Sequence, residues 1–217
     1  MLRTAKNAVY EAAKILKQNF GKITREQIRE KDKNDYITYV DEASEHKIIE
    51  IIHKNYPDHD IFAEETGPRN KDSDYRWIID PLDGTKNYVN GVPVFSISVA
   101  LEYRKNIILG VVYDPLRNEM FYAEKNKGAF LNGNIIKVNT ENNLGNCLIG
   151  TGFPFKYKKH LPEYVNCFEE IFINCSGIRR MGSAAIDLSY VAAGRFEGFW
   201  EIGLSVWDIA AGAIIIK

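Results

Sequence analysis

The sequence has few cysteines and no long hydrophobic run. Cys147, Cys167 and Cys175 are its three cysteines, and no two of them form a C-x-x-C pair. We therefore expect neither a disulfide framework nor a structural zinc site, and a reducing, cytoplasmic setting. The longest apolar run, residues 209–216, is eight residues long, whereas a membrane span needs about 20. We expect a water-soluble protein with no membrane partner.

The sequence also lacks an excess of charge of either sign. Its 28 Lys and Arg are balanced by 29 Asp and Glu, for a net charge of −1. This balance gives no electrostatic surface for general nucleic-acid binding, and we expect no nucleic-acid partner. The 217 residues are 45% hydrophobic and 26% charged, which is typical of globular proteins and allows one large domain or two small ones.

Hydrophobic periodicity divides the chain into helices around a strand-rich middle. Helical spacing of apolar residues predicts helices over residues 2–20, 38–56, 162–173 and 184–193, and a last helix beginning at Trp207. Enrichment in β-branched and aromatic residues predicts strands at 61–63, 76–79, 94–101, 107–113, 120–124 and 196–200, and Asn132-Gly133 predicts a hairpin. The charge-dense residues 22–34 are interpreted as a solvated loop. The pattern indicates layered helices and sheets, in two closely joined lobes.

Acidic side chains stand where two of the predicted strands end. Asp80 and Asp83 follow one buried strand and flank Pro81, while Glu64 and Glu65 follow another. Ligands bind at such strand ends in open α/β sheets, and clusters of carboxylates suit Mg²⁺ or Mn²⁺. The simpler alternative is that the aspartates cap the helix that follows, but capping explains one aspartate and not both together with the glutamates.

Several segments carry a family resemblance. They are D-Y-I-T-Y-V-D at 35–41, F-A-E-E-T-G at 62–67, W-I-I-D-P-L-D-G-T at 77–85, G-S-A-A at 182–185 and W-D-I-A-A-G at 207–212. In this order they resemble the motifs of the inositol monophosphatase family, the Mg²⁺-dependent, lithium-sensitive sugar phosphatases. The resemblance covers nearly the whole chain, although Ala63 replaces the usual glycine and Lys86 replaces a common threonine.

The resemblance implies a layered α-β-α-β-α sugar-phosphatase fold of mixed α and β structure. Residues 1–140 would form the lobe with most of the metal ligands, and residues 141–217 would begin the second lobe. The family's chain continues beyond Lys217, and the last predicted helix runs into Lys217 without a polar tail. We therefore expect the natural protein to continue as well. Family members are commonly homodimers, which we carry over as an expectation.

The resemblance also implies a site, residue by residue. Metal ligands would be Glu64, Asp80, Asp83, Asp208 and the carbonyl of Leu82, holding two to three Mg²⁺ ions, with Mn²⁺ as an alternative. Catalysis would use Thr85, Asp41 and Glu64 to orient and deprotonate the attacking water. The substrate-binding residues would be Asp83, Gly84, Thr85, Gly182, Ser183, Ala184, Glu201 and Asp208. A lysine of the loop after the first helix, Lys31 or Lys33, would approach the metal site.

The expected activity is hydrolysis of inositol 1-phosphate and related sugar or polyol phosphates, a class of small-molecule phosphate esters. Fructose 1,6-bisphosphate, 3′-phosphoadenosine 5′-phosphate and histidinol phosphate remain alternative substrates, and a regulatory binding protein on this fold remains a non-enzymatic alternative. Arg179-Arg180 would meet a second phosphate or a partner subunit. The basic residues 156–160, and His46, His53 and His59, are interpreted as solvated surface.

Overall fold

The computed structural model describes residues 1–32 and 35–217, which form helices packed on two principal β-sheets. The α-helices are α1 (Leu2–Asn19), α2 (Tyr39–Asn55), α3 (Thr85–Val89), α4 (Leu161–Asn174), α5 (Ala184–Ala192) and α6 (Val206–Ile216). The strands are β1 (Ile28–Asp32), β2 (Asp35–Thr38), β3 (Asp60–Ala63), β4 (Gly67–Arg69), β5 (Tyr75–Asp83), β6 (Ser96–Tyr103), β7 (Asn106–Asp114), β8 (Glu119–Glu124), β9 (Ala129–Leu131), β10 (Asn134–Ile136), β11 (Leu148–Thr151), β12 (Gly177–Arg179) and β13 (Gly198–Trp200).

The larger sheet lies between two helical layers. Its strand order is β10-β9-β8-β7-β6-β5-β3-β4, and only β3 and β5 run parallel. Successive side chains of a strand point to opposite faces, so β5 sends Trp77 and Ile79 towards α1 and α2 and sends Ile78 towards α5 and α6. The sheet therefore contributes to two separate hydrophobic cores.

The smaller sheet adds the remaining layers. Its strands are all parallel, in the order β12-β11-β13. Helix α5 packs on β13 from one side, and α4 packs through Tyr164, whose ring stacks at 6.0 Å from that of Trp200. The layered α/β fold expected from the sequence is confirmed. The division of the chain into lobes at residue 140 stays a prediction.

Strand β5 is longer than predicted and delivers the acidic residues. It continues past Asp80 through Pro81 to Asp83, and its register against β6 shifts between Asp80 and Asp83. Proline has no N–H to donate to the ladder and is tolerated at such a bulge. The bulge brings both carboxylates to the same end of the strand.

Some of the other predicted elements are confirmed and others are not. The hairpin is confirmed, with Asn132 and Gly133 at φ of 49° and 90° between β9 and β10. The prediction of a loop over residues 22–34 was wrong for residues 25–32, where a 3₁₀ turn and β1 occur, and its last two residues, 33 and 34, lie outside the described residues. The short strands β4, β11 and β12 were not predicted. Over residues 1–32 and 35–217, none of the helices combines the length and the apolar character needed to cross a membrane.

Candidate active site

A cleft forms where the end of β5 meets the first turns of α3, α5 and α6 and the chain after β13. Most of the residues predicted from the sequence to form a site line it. These are Glu64, Asp80, Leu82, Asp83, Gly84, Thr85, Gly182, Ala184, Glu201 and Asp208. Asp41 and Ser183 are fully buried behind the cleft and contact it through hydrogen bonds. The structure thus brings all the predicted residues together, whereas their roles remain predictions.

The two aspartates of β5 do not cap the helix that follows them. The N-cap of α3 is Gly84, at φ of 100°, and it makes no side-chain capping bond. Asp80 accepts a hydrogen bond from the N–H of Leu82 at 3.0 Å. Asp83 accepts bonds from the Ser183 hydroxyl at 2.6 Å and the Ala185 N–H at 2.7 Å. The capping alternative is therefore wrong for α3, and Asp83 instead joins β5 to the start of α5.

Two other acidic residues do cap their helices. Asp208 Oδ2 accepts from the Ser205 N–H at 2.6 Å, in a capping box that begins α6. Asp41 Oδ2 accepts from the N–H and hydroxyl of Thr38 at 2.8 and 2.6 Å, in the capping box of α2. Such caps fix the rotamer of each carboxylate. The same local bonds that begin the helices also orient side chains at the cleft.

The hydroxyl of Thr85 links the cleft to Asp41. Its Oγ1 lies 3.0 Å from Asp41 Oδ1 and 3.0 Å from the carbonyl oxygen of Leu82. A hydroxyl has one proton, so Thr85 donates to one of these acceptors at a time. Burial raises the pKa of Asp41 above its ordinary value, and bonds from Thr38 and Thr85 partly counter this. The pair is a short route along which a proton can move away from the cleft.

The carboxylates of the cleft raise one another's pKa values. Burial, followed by the charges of Glu64, Asp83 and Asp208, raises the pKa of Asp80 well above its usual range. Burial raises the pKa of Asp83 to about 6. Burial, with the charge of Asp83, raises that of Asp208 to about 7, and burial raises that of Glu201 to about 7. Poorly solvated carboxylates at close range attract cations.

A lysine supplies one such cation. Lys31 Nζ lies 3.0 Å from Glu64 Oε1 and 2.8 Å from Glu65 Oε1. Burial lowers the pKa of Lys31, but the two carboxylates more than offset this and hold the pKa above its ordinary value. Lys31 is thus the described member of the predicted loop pair, and Lys33 lies outside the described residues. Glu45, which sequence reasoning missed, accepts the N–H groups of Glu65 and Thr66 at 2.8 and 3.0 Å and fixes this acidic turn.

The donor set fits a hard divalent cation by its chemistry. Only oxygen atoms are offered, from four carboxylates and the carbonyl of Leu82, and oxygen is the ligand that Mg²⁺ prefers. No three His, Cys, Asp or Glu side chains of residues 1–32 and 35–217 are already close enough together to hold an ion as they stand. The type of donor therefore supports a metal site, whereas the present spacing of the carboxylates does not by itself define one.

The outer part of the cleft was not predicted as a site. Phe153, Phe155 and Lys156 line it beside Lys86 and Arg180. Lys156 is exposed on a loop, as interpreted from the sequence, but it also lines the cleft, and its charge lowers the pKa of Asp208. The pair of phenylalanines followed by a lysine in F-P-F-K was the signal that could have indicated this.

A further acidic residue lies behind the cleft. Asp187 of α5 is 1% exposed, and its Oδ1 has no hydrogen-bond partner among the described residues. Burial, with the charges of Asp83 and Glu201, raises the pKa of Asp187 to about 9. Nothing in the sequence distinguished Asp187 from a solvent-facing helix residue, since aspartate is ordinarily exposed.

The whole chain is similar in sequence to known proteins. A model described as the inositol monophosphatase family matches residues 1–217. A protein of Pasteurella multocida named Nus factor SuhB is 44% identical over 218 residues, covering 100% of this chain and 82% of that protein. A protein of Aquifex aeolicus named fructose-1,6-bisphosphatase/inositol-1-monophosphatase is 43% identical over 216 residues, with the same two coverages of 100% and 82%.

Solved structures show the same fold. The extragenic suppressor protein suhB of Bartonella henselae superposes with a TM-score of 0.96 at 37% identity, covering 99% of this chain and 83% of that one. An IMPase of Thermotoga maritima superposes with a TM-score of 0.89 at 36% identity, covering 99% and 81%. The fold and the sequence of this chain therefore both match those of the inositol monophosphatase family over nearly its whole length.

Proposed function

The chain belongs to the inositol monophosphatase family, and from this premise we propose that it is a Mg²⁺-dependent phosphomonoesterase acting on inositol 1-phosphate and related sugar or polyol phosphates. The observation that carries the proposal is the convergence of Glu64, Asp80, Asp83 and Asp208 on the cleft that also contains Thr85. Acidic residues alone would repel a phosphate ester, so the cleft needs cations to bind one.

Mg²⁺ would be held by the carboxylates and one carbonyl. Glu64, Asp80 and the Leu82 carbonyl would form one set of ligands, and Asp80, Asp83 and Asp208 would form another, with Glu64 contributing to a third ion. When bound, such ions neutralise the phosphate and lower the pKa of a coordinated water. The bonds from Leu82, Ala185 and Ser205 fix the ligand carboxylates beforehand, which reduces the ordering required on binding.

Thr85 and Asp41 would receive the proton of the attacking water. The Thr85 hydroxyl would accept a hydrogen bond from the water while it donates its own proton to Asp41 Oδ1. The raised pKa of Asp41 makes it a better proton acceptor than an exposed aspartate. Glu64, whose Oε1 accepts a hydrogen bond from Lys31 Nζ at 3.0 Å, would help to orient the same water.

The substrate's hydroxyl groups would be recognised by Glu201 and the segment before α5. A Cβ atom at Gly152 would overlap the Glu201 carboxylate, so glycine at this position leaves the space in which Glu201 reaches the cleft. Ser183 donates to Asp83 and contacts Ser96 at 3.1 Å, which fixes the Gly182–Ala184 backbone. Carboxylate and carbonyl oxygens suit the hydroxyl donors of a polyol.

The test is phosphate release by the purified protein with and without Mg²⁺, and then with Li⁺ added. The substrates are inositol 1-phosphate, fructose 1,6-bisphosphate, histidinol phosphate and 3′-phosphoadenosine 5′-phosphate. The proposal predicts Mg²⁺-dependent release that Li⁺ inhibits and that is efficient with inositol 1-phosphate. A folded, Mg²⁺-binding protein that releases no phosphate from any of them contradicts it.

We further propose a homodimer in the cytoplasm. The three cysteines are free, which supports a reducing compartment. The dimer rests on family membership, and light scattering of the purified protein tests it.

Relatives named Nus factor favour a second candidate, a regulatory binding role on the same fold. Asp208→Asn distinguishes the two functions: a purely regulatory protein keeps its biological role in this variant, whereas a role that depends on turnover is lost.

A further inference from the structure

A second pocket lies between α2 and the hairpin formed by β3 and β4. Its volume is about 550 Å³, against about 160 Å³ for the cleft. The described residues that line it are His46, Ile49, Glu50, His53, His59, Ile61, Arg69 and Lys71. None of these residues lines the cleft. A volume of this size is typical of pockets that bind small organic molecules.

Three of the four histidines of the chain line this pocket. His46 and His53 lie about two turns apart on one face of α2. The fourth, His160, belongs to a 3₁₀ turn before α4 and does not line the pocket. His46 and His53 are exposed, as interpreted from the sequence, whereas His59 is partly buried. The interpretation of His59 as solvated surface is therefore corrected.

The ring of His59 is fixed by three aromatic neighbours. Its centre lies 4.9 Å from the ring centre of Tyr56 and 4.7 Å from that of Tyr75, and both pairs are stacked. The indole N–H of Trp77, which can only donate, donates to His59 Nδ1 at 3.1 Å. Burial lowers the pKa of His59, so its imidazole is neutral near pH 7 and carries its proton on Nε2. His59 thus offers the pocket an N–H donor in a fixed orientation.

Two cations lie on the hairpin side of the pocket. Arg69 pairs directly with Ile61 across the two strands, and directly paired residues of antiparallel strands lie on the same face. Ile61 belongs to the same hydrophobic core as Ile49 of α2, so Arg69 is on the α2 side of the hairpin. Lys71 follows β4, and its N–H donates to Asp60 Oδ1 at 2.5 Å. No described acidic side chain forms an ion pair with Arg69 or Lys71.

The acidic residues near the pocket leave this positive charge uncompensated. Glu50, the only acid among the described lining residues, pairs with Lys47 at 2.5 Å. Asp60 accepts the N–H of Lys71 and so fixes the turn after β4. Asp58 is exposed, and water and salt screen its charge. The cations of the pocket therefore stay available to a ligand.

The floor of the pocket is apolar. Ile49 and Ile61 are 8% and 4% exposed, and both line the pocket. A divalent cation does not suit it, because Arg69 and Lys71 would repel the ion. In addition, no three His, Cys, Asp or Glu side chains of residues 1–32 and 35–217 are placed to hold a metal. An apolar floor beside cations and an oriented N–H donor is complementary to a molecule that joins an apolar group to an oxyanion.

We propose that this pocket is a binding site for a small organic anion, a carboxylate or phosphate that carries an apolar ring or chain. The apolar part would lie on Ile49 and Ile61. Arg69 would hold the oxyanion through two N–H groups, and His59 Nε2 would donate to it as well. The proposal does not depend on the proposed function, since the pocket and the cleft share none of their described lining residues.

The test is proton NMR of the histidine rings, in which His160 is an internal control. The probe is phenylphosphonate, whose carbon–phosphorus bond a phosphatase does not hydrolyse. Methylphosphonate lacks the apolar ring, and benzyl alcohol lacks the charge. The titrations are made without Mg²⁺, so that the carboxylates of the cleft repel the anions. His46→Gln and His53→Gln assign the ring signals.

Phenylphosphonate should shift the ring signals of His46, His53 and His59 saturably and leave that of His160 unchanged. It should bind about tenfold more tightly than methylphosphonate or benzyl alcohol, because each of these lacks one of the two contacts.

Two variants test the position of the oxyanion. Arg69→Met should weaken phenylphosphonate binding by about fivefold to tenfold, since it removes a charge-assisted bidentate contact. Lys54→Met is the control, because Lys54 is an exposed residue of α2 that does not line the pocket. It should keep the wild-type affinity. Both side chains are exposed, so both variants should fold.

Four results would overturn the inference. The first is the absence of a saturable shift, and the second is an equal shift of all four histidine signals. The third is equal affinity for phenylphosphonate and either of the other two probes, which would show that the pocket does not use both contacts. The fourth is an equal loss of affinity in Arg69→Met and Lys54→Met, or no loss in either.

Discussion

The hydroxyl of Thr85 shows how much can depend on one residue. It contacts both Asp41 and the carbonyl of Leu82 at 3.0 Å, and it is not among the proposed metal ligands. Thr85→Ala should therefore lower kcat by about 10²–10⁴-fold, the usual contribution of a positioned proton acceptor, while the Mg²⁺ affinity stays near that of the wild type. Steady-state kinetics and calorimetric Mg²⁺ titration measure the two quantities. If the substitution lowered kcat and the Mg²⁺ affinity together, Thr85 would be a residue that supports metal binding instead.

The buried Asp187 predicts how stability depends on pH. Its pKa is raised to about 9 in the folded protein, against about 3.9 in an unfolded chain. The folded state thus binds more protons than the unfolded state between these values, so the free energy of unfolding falls as pH rises from about 4 to about 9. Asp187→Asn removes this titration. The variant should gain roughly 1–3 kcal/mol relative to the wild type between pH 5 and pH 8.

Urea unfolding at pH 5 and pH 8 measures this difference. Both proteins keep Asp83 and Glu201, so the contributions of these residues largely cancel in the comparison. A wild type that loses no more stability than Asp187→Asn over this range would show that Asp187 ionises normally in the fold.

At the residue scale, the sequence indicated which residues form the site better than it indicated which groups contact them. Asp80, Asp83 and Glu64 could be singled out because they follow strands. The bonds that orient them, from Leu82, Ala185 and Lys31, come from turns and distant segments whose geometry no local pattern contains. Arg180 and Arg179 are alike in sequence, and only the fold shows which of them enters the cleft.

At the element scale, the contact between α6 and β7 depends on a glycine. A Cβ atom at Gly110 would lie 2.7 Å from the Ala211 carbonyl oxygen and 2.8 Å from the Ala211 Cα. Backbone atoms cannot move aside cheaply, so Gly110→Ala should destabilise the protein by about 1–3 kcal/mol, as overpacking does. Because α6 begins with Asp208 in its capping box, the same substitution should weaken Mg²⁺ binding.

Gly198→Ala provides the control for Gly110→Ala. The nearest atom to a Cβ there is the Ile149 Cδ1 at 3.4 Å, an ordinary contact. Urea unfolding should therefore show a much smaller loss in Gly198→Ala. Equal stabilities of the two variants would mean that α6 can shift away from the sheet without cost.

The predictability of the elements depended on their length. Helix α1 was predicted because apolar residues recur at helical spacing over residues 2–20, and the structure buries six residues of this helix. The strands β4, β11 and β12 were missed because three or four residues show too little alternation to be distinguished from loop. Strand β1 was missed because its sequence, I-R-E-K-D, is charged, and its pairing with β2 outweighs this composition.

At the scale of the whole molecule, the acidic cleft lies between the hydrophobic cores. Both faces of β5 are packed, with Trp77 in one core and Ile78 in the other. The carboxylates of the cleft come from β5, from α6 and from the loop after β3. A cation bound at the end of β5 would therefore relieve the repulsion among them. Cation binding to the native state should stabilise the whole fold cooperatively.

Mg²⁺ should accordingly raise the Tm, whereas NaCl at equal ionic strength should have little effect. Mg²⁺ at about 100 times its dissociation constant adds about 2.7 kcal/mol to the stability if it binds only the native state. In Asp208→Asn, the rise in Tm caused by Mg²⁺, measured by thermal unfolding, should be smaller than in the wild type. Equal Tm values in MgCl₂ and NaCl would argue against a Mg²⁺ site of useful affinity.

The converging carboxylates are proposed to make this protein a Mg²⁺-dependent phosphatase. The most direct measurement is phosphate release from inositol 1-phosphate as a function of Mg²⁺ concentration, in the wild type, in Asp208→Asn and in the surface control Asp74→Asn, whose side chain pairs with Arg104. We predict saturable Mg²⁺ activation in the wild type and Asp74→Asn, and loss of most activity in Asp208→Asn. An Asp208→Asn protein with wild-type activity and wild-type Mg²⁺ dependence would contradict the account.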